Sequence, residues 1–257
     1  MKTVSRLSIA PVKGMALVHP DEVRLESFGV ASNRRFYVVD ADGRRYGQIR
    51  DGTLVRIAPD YDAEAERLTL RFPDGSTADG SVELGEALVT DFYGRPVGGR
   101  VVEGPWSDAV SGFVGRALRL VHADEPGAGV DRDRGTVTMV SEASLAELAR
   151  HAGRDSVDGR RFRMLIDVAG CAPHEEDSWI GGAVHVGEAV VRLHEPVARC
   201  AITTQNPDTG VPDFDSLREI VRYRGTRVAD GKNIDFGVFG EVEQPGRVSV
   251  GDPVEPA

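Results

Sequence analysis

Cysteine is scarce in this 257-residue chain, which carries only Cys171 and Cys200. Two thiols build no disulfide framework, and their small number points to a reducing compartment. Aromatic residues are few as well, at 6%. No basic run interleaved with aromatics occurs, which argues against a stacking platform for nucleic acid. Positive charge is in deficit: 31 Lys and Arg stand against 41 Asp and Glu, for a net charge of -10. That balance disfavours wholesale attraction to a polyanion or to an anionic membrane. Long apolar runs are missing too, the longest being strand-sized. Lys2 and Arg6 are followed by neither an apolar h-region nor a small-residue cleavage site. The expectation is a cytoplasmic protein with no membrane and no nucleic-acid partner.

Familiar catalytic signatures are also missing. There is no HExxH, GxSxG, Walker A or CxxC pattern. The six histidines do not pair at zinc-ligand spacing. His174, His185 and His194 share the second half of the chain with Cys200, but no positional signal joins any of them to it. No iron–sulfur cysteine set and no nucleotide-binding glycine motif is found.

What is present is a β-rich pattern. Hydrophobic residues make up 40% of the chain, enough for a proper core. Ser5 to Ile9 alternates and stops at Pro11, Val12-Lys13-Gly14 reads as a bend, and Val23 to Glu26 alternates again. Arg35 to Val39 and Arg44 to Tyr46 predict a hairpin turning at Asp42-Gly43. Leu54 to Ile57 and Arg67 to Phe72 read as further strands, the second closed by Pro73-Asp74-Gly75. Frequent short strands of this kind suggest a small barrel or sandwich. Trp106, Val110, Phe113, Val114 and Leu118 follow helical spacing. His122 to Gly135 is polar and glycine-rich, an exposed loop and candidate lid.

The second half mixes strands and helices. Val137 to Val140 runs into a helix with Ser141 at its N-cap and Leu145, Leu148 and Ala149 on its apolar face. A helix N-terminus fed by a strand leaves backbone N–H groups that can hold an anion. Arg160 to Val168 reads as a strand, Glu175 to Trp179 as a solvated acidic turn with Trp179 packing inward, and Ala183 to Arg192 as a hairpin turning at Gly187-Glu188. Ala198 to Thr203 reads as the next strand, Asp215 to Arg224 as a helix, and Phe236 to Val250 as returning strands.

The stretch with the most chemistry runs from Val197 to Gly210. Arg199 stands beside Cys200, two threonines follow, and Asn206-Pro207-Asp208-Thr209-Gly210 reverses the chain. A neighbouring cation favours thiolate over thiol, and the thiolate is the form that attacks or binds a soft metal. The bland reading is a packed thiol, since a free cysteine usually behaves as a small hydrophobe. Cys171 is read in that way.

An ordered set of segments resembles one family. Ser141 to Leu145, Arg161-Phe162-Arg163, Glu176 to Trp179, Arg199 to Thr204 and Asn206 to Gly210 occur in the order seen in MOSC domains, the molybdenum cofactor sulfurase C-terminal domains. The closing Pro245-Gly246 and Val250-Gly251-Asp252 fit as well. Ala10 to Lys13 and Arg35 to Val39 look like the β-barrel domain that precedes MOSC in the mitochondrial amidoxime reducing component and its bacterial relatives. The resemblance implies a mixed, mainly β chain with a few helices. Residues 1–103 would be an N-terminal β-barrel domain packed on a MOSC β-barrel domain, residues 104–257.

It also implies a molybdenum–molybdopterin cofactor between the two. Cys200 would be the metal ligand and catalytic residue. Lys13, Arg35, Ser141, Arg163 and Arg199 would bind the cofactor's phosphate and ring. The implied function is an oxidoreductase that reduces N-hydroxylated or N-oxide small molecules with electrons from a separate reductase. One alternative is sulfur transfer through a Cys200 persulfide. That route needs a separate cysteine desulfurase, because no pyridoxal-phosphate domain is seen. The other is a cofactor-binding or carrier protein without turnover. Four positions depart from the family pattern. Gly14 replaces a Ser, Met164-Leu165 a Pro-Asn pair, Ile49 an Arg, and Phe239 an aromatic hydroxyl. They imply a cofactor held by fewer polar contacts, or a pocket retuned for another ligand.

Overall fold

The computed structural model describes residues 1–127, 129, 136–227 and 231–257. Its first elements are β1 (Thr3–Leu7), β2 (Glu22–Leu25), β3 (Phe36–Asp40), β4 (Arg45–Tyr46), β5 (Ala58–Asp62), β6 (Arg67–Arg71), β7 (Thr77–Ser81), β8 (Glu83–Phe92) and β9 (Arg95–Glu103). Helix α1 (Trp106–Val114), β10 (Leu118–Ala123), β11 (Val137–Ser141), α2 (Glu142–Ala152) and β12 (Ile166–Ala169) follow. The last are β13 (Ala183–Val186), β14 (Ala189–Ala198), α3 (Ser216–Arg224), β15 (Asp235–Gln244), β16 (Gly246–Ser249) and β17 (Val254–Pro256).

Seven strands form one sheet in the order β1-β12-β11-β15-β14-β13-β17. Its two edges meet. Thr3 bridges Pro253, and Val254 N donates to Lys2 O at 3.0 Å. The sheet therefore comes close to a closed barrel, which leaves few unpaired edge groups. Alternate residues of β13 and β14 point inward, and Val184, Val186, Val191 and Leu193 join Val4, Leu7, Val168 and Val238 in its core.

A second body wraps the five-stranded sheet β4-β3-β10-β9-β8 and the three-stranded sheet β5-β6-β7 around Phe36, Leu68, Leu70 and Leu120. Helix α1 packs into this core through Trp106, whose indole N–H donates to Leu68 O at 3.1 Å. The ring is thus buried without an orphaned donor. The helix ends at Gly115 in the left-handed region, φ 74°.

Sheet membership is interleaved across residue 103. β1 pairs with β12 and β2 with β16, so the first strands serve the seven-stranded barrel and a neighbouring ribbon. α1 and β10 belong to the first body, where β10 lies between β3 and β9. The seven-stranded sheet needs β1 because β12 would otherwise be an exposed edge.

Three apolar runs expected as strands are turned instead. Gly52–Arg56 is a 3-10 helix, its first turn fixed by Thr53 N donating to Asp51 Oδ1 at 3.0 Å. Within 160–168 only the end is strand. Gly159–Phe162 is a 3-10 helix capped by Asp158, and Arg163 follows at φ 51°. β14 ends at Ala198, and Cys200 caps a 3-10 helix at Ala201–Thr204. In each case a short polar side chain offers the backbone a local bond that competes with the ladder. The candidate lid at 122–135 falls partly outside the described residues, since 128 and 130–135 are not among them.

The two bodies meet backbone against backbone. A Cβ added to Gly210 would lie 1.9 Å from Gly52 O, and one added to Gly52 would lie 2.1 Å from Gly210 O. Only glycine fits on either side. Gln205 Nε2 donates to Gln48 O at 3.2 Å across the same seam. The left-handed backbone alone makes an alanine cost about 1–2 kcal/mol. That cost is expected for Gly181→Ala, where φ is +88° and nothing lies within 4 Å of the added Cβ. Gly210→Ala, at φ +74° and with the overlap besides, is expected to lose about 1–3 kcal/mol more, the usual range for overpacking. Urea denaturation of both variants checks this, and equal losses would show that the seam yields.

Candidate functional site

A cleft of about 710 Å³ opens between the two bodies. Cys200 lines it and is exposed. The backbone on both sides of this cysteine is pinned. Arg199 N donates to Ile234 O at 2.7 Å, and Cys200 O accepts from Thr203 N and Thr203 Oγ1, each at 3.1 Å. Thr203 Oγ1 also lies 2.8 Å from Ser216 Oγ on α3. The sulfur thus stands on a fixed piece of chain at the point where a strand turns into a 3-10 helix.

The walls are cationic. Lys13, Arg34, Arg45 and Arg50 come from the first body, and Arg161, Arg163 and Arg199 from the second. Among the described residues no Asp or Glu lines the cleft. A protein of net charge -10 therefore concentrates positive charge in one place. Such a cleft raises the local concentration of anions.

The second-body cations are held by the protein itself. Arg199 Nη1 donates to Phe162 O at 2.9 Å, Nε and Nη2 donate to Phe236 O at 2.8 and 2.6 Å, and Nη2 reaches Met164 Sδ at 2.7 Å. Its guanidinium thus ties the 3-10 turn at Phe162 to β15, and does not reach out as a free charge beside the thiol. Arg163 Nη2 donates to Met15 O at 2.8 Å, so this left-handed residue joins the two bodies. Arg161 is 8% exposed, pairs with Asp213 at 2.7 Å and donates to Gln205 O at 2.8 Å. Arg160 grips Asp208 with two bonds of 2.8 and 3.0 Å. Asn206 Oδ1 accepts from Asp208 N and Thr209 N. The turn after Cys200 is rigid because arginines on the Gly159–Phe162 helix hold it from one side and Gly52 from the other.

The structure brings together four of the six residues singled out from the sequence: Lys13, Arg163, Arg199 and Cys200 all line the cleft. Two lie elsewhere. Arg35 is partly buried near Tyr61, Asp124 and Glu66, and burial lowers its affinity for a proton. Its neighbour Arg34, in the turn before β3 with a left-handed φ of 54°, takes the cleft position instead. Ser141 caps α2 as expected, accepting from Ser144 N at 3.1 Å, but it is fully buried and the anion place is taken. Glu176 Oε1 accepts from Ser141 N at 3.2 Å and from Ser144 Oγ at 2.7 Å. The acidic turn is therefore not simply solvated: Glu176 is buried at the helix N-terminus, where a carboxylate is favoured. Trp179 packs in the barrel core as expected.

Arg34, Arg45, Arg50 and Tyr93 carry no sequence signal, because Arg45 on β4 and the other three on separate turns are gathered only by tertiary structure. Arg161 carried a signal, its place in the Arg161-Phe162-Arg163 segment. His174, His185 and His194 are not among the described residues lining the cleft. Nor is there any cluster of three or more His, Cys, Asp or Glu that could hold a metal ion, among the described residues. Among the same residues no helix is long and apolar enough to cross a membrane.

Two packed β bodies thus enclose a cleft with an exposed thiol, arginine walls and, among the described residues, no carboxylate. The MOSC domain family model matches residues 127–255, and the MOSC N-terminal beta barrel domain model matches residues 1–102. The chain belongs to the MOSC domain family. It is similar to mitochondrial amidoxime-reducing component 1 of Homo sapiens, at 28% identity over 98% of this chain and 82% of that protein. Mitochondrial amidoxime reducing component 2 of Bos taurus is 29% identical over the same shares, 98% and 82%. Component 1 of Mus musculus is 35% identical over 48% of this chain and 36% of that protein.

His122, on β10 with its ring 5.2 Å from Phe36, is held neutral by burial and by the Arg35 guanidinium, which bring its pKa down to about 4. Between about pH 4 and 6.5 the unfolded chain binds a proton that the fold refuses, so stability falls as pH drops through that window. His122→Gln is expected to shrink the loss of denaturant midpoint between pH 7 and 4.5. An unchanged loss would mean that the ring takes up its proton without leaving the fold.

Proposed function

We propose that this chain is a molybdenum-cofactor-dependent oxidoreductase that reduces N-hydroxylated small molecules, with Cys200 as the protein's ligand to the metal. The observation that carries this reading is the exposed Cys200 in a cleft walled by cations and, among the described residues, free of carboxylates. The donor set fits the cofactor. A single thiolate cannot hold a bare ion, but it suits a soft metal that arrives with ligands of its own. Guanidinium groups suit the phosphate of an anionic pterin. When bound, molybdenum supplies the two-electron oxygen-removal chemistry that no side chain of this protein can perform.

The chain's own residues do the holding and aiming. Cys200 is fixed through its carbonyl by Thr203. Lys13 and Arg163 bind the anion from opposite bodies, so ligand binding also strengthens the seam. Arg199 orients the strand end from which Cys200 projects. The departures from the family pattern have local reasons. Gly14 has φ +87°, and an added Cβ would stand 3.2 Å from Gln48 N, so a side chain there would be strained. Met164 turns its sulfur to Arg199, and Leu165 is buried. Their contacts go to the protein, and the ligand is left with the arginines. With no iron–sulfur or nucleotide motif in the sequence, the electrons come from a separate reductase. Amidoxime reduction, the activity in the relatives' names, is the reading that the family and the cleft support together.

Metal and pterin analysis of protein made in a molybdenum-competent host tests this. About one molybdenum per chain, lost in Cys200→Ala without loss of fold, is the expected result. A metal-free protein with cyanide-labile sulfur on Cys200 would overturn it in favour of sulfur transfer. Arg163→Ala is expected to lower cofactor retention about tenfold, as the loss of one charge-assisted bond does. Its circular dichroism is expected to stay unchanged, and unfolding would instead make Arg163 a purely structural tie.

A further inference from the structure

The mouth of the cleft differs from its walls. Ile49 and Tyr93 line it, and they are 57% and 59% exposed, large apolar side chains left in water on one lip. Tyr93 sits where the backbone disfavours it. β8 and β9 pair Phe92 with Arg95, leaving the two-residue loop Tyr93-Gly94 with φ +59° and +86°. Two positive φ values in succession make the primed hairpin turn that normally carries Asn-Gly. An aromatic residue at its first position is strained, and strain of this kind collects at binding sites. The turn itself is closed by Asp91, whose carboxylate accepts from Gly94 N at 3.0 Å.

The ring is nevertheless held. The Arg45 guanidinium lies 3.6 Å from the Tyr93 centroid and 5.3 Å from that of Phe92. Arg45 Nη1 is buried with no hydrogen-bond partner among the described residues, so the aromatic faces are what it has. A cation on one face of a ring draws its electrons that way. The exposed face then suits a neutral or electron-rich planar group and repels a cation.

We propose that Tyr93, backed by Arg45, is the platform on which a flat, conjugated, uncharged substrate stacks at the cleft mouth, and that this platform turns away the cationic product. The inference rests on the function proposed above. In that reaction the N–O bond of an amidoxime breaks, two electrons arrive from the reductase and two protons from solvent, and the oxygen leaves as water. The amidoxime is a weak base and enters neutral. The amidine product is a strong base and takes one further proton. Among the described residues no carboxylate lines the cleft to hold the resulting amidinium, and Arg45 and Arg50 line it. The change of charge on the substrate thus drives release.

Calorimetric titration of the molybdenum-loaded protein with benzamidoxime, acetamidoxime and benzamidine tests the platform, alongside KM and kcat with reduced methyl viologen as electron source. Tyr93→Asn places the residue that the turn prefers, so the fold is safe. It is expected to weaken benzamidoxime binding and raise its KM roughly five- to tenfold, the size of one aromatic stack. The affinity for acetamidoxime and the kcat for either probe should stay within about twofold, a change smaller than the weakest such stack. Arg45→Gln is expected to shift the ratio of benzamidine to benzamidoxime affinity roughly tenfold toward benzamidine, as removal of one near cation does. Equal effects of Tyr93→Asn on both amidoximes, or no effect, would overturn the proposal, as would an unchanged ratio in Arg45→Gln. Protein that binds benzamidoxime through Tyr93 but holds no molybdenum and reduces nothing would support the platform and sink the proposed reaction.

Discussion

Seven cations around one cleft repel one another, and the architecture is the answer to that repulsion. Each charge whose partners are described is anchored by a group that keeps it in place without cancelling it inside the cleft. Arg199 rests on two backbone carbonyls and a thioether, and Arg163 on a third carbonyl across the seam. Arg161 and Arg50 have carboxylate partners, Asp213 and Asp40, that stay outside the lining. Arg45 is held by two rings. Carbonyl dipoles and aromatic faces orient a guanidinium while leaving its full charge to act on a ligand. An electrostatic site prepared in this way does not have to reorganise when an anion arrives.

That preparation requires two bodies. Neither contributes enough cations alone, and a site between them stays formed only if they cannot slide. The Gly52–Gly210 contact fixes their separation at backbone distance. Gln205 to Gln48 and Arg163 to Met15 fix the lateral position. Through Gly210 this seam reaches the turn after Cys200, and through Arg160 and Asp208 it reaches the helix before Arg163. The thiol and its surrounding charge are thus positioned by one connected set of bonds, and interleaving the first strands with the second barrel makes the two bodies hard to separate.

Much of this was legible in the chain. The hairpin at Asp42-Gly43, the strand into α2 with Ser141 at its cap, the hairpin at Gly187-Glu188 and helix α3 follow from turn chemistry and periodicity, because those rules are local. The failures share one cause. Leu54 to Ile57, Arg160 to Val168 and Ala198 to Thr203 carry enough apolar residues to pass as strands, yet Asp51, Asp158 and Thr203 bend all or part of each into a 3-10 turn. Pattern reading weighs apolar side chains and underweighs one short polar residue. Arg34 and not Arg35 reaches the cleft through a left-handed turn at φ 54°, which the sequence does not reveal. The resemblance implies Ser141 as part of an anion site, and nothing local reveals that Glu176, thirty-five residues on, already accepts from its backbone N–H.

Tyr93 belongs to another category, a residue that breaks a local rule. The hairpin would be more stable with Asn, by something on the order of 1 kcal/mol. Gly210 takes its left-handed conformation, φ +74°, as a glycine, whereas Arg34, Tyr93 and Arg163, all on the cleft, take theirs with a side chain, at φ 54°, 59° and 51°. Strain that gathers at residues lining one cleft is informative. The ring at position 93 is placed for what passes the cleft mouth, and Arg45 beneath it decides the charge that can pass. Cys200 and the arginines line the cleft together with Tyr93 and Ile49, two exposed large hydrophobic side chains.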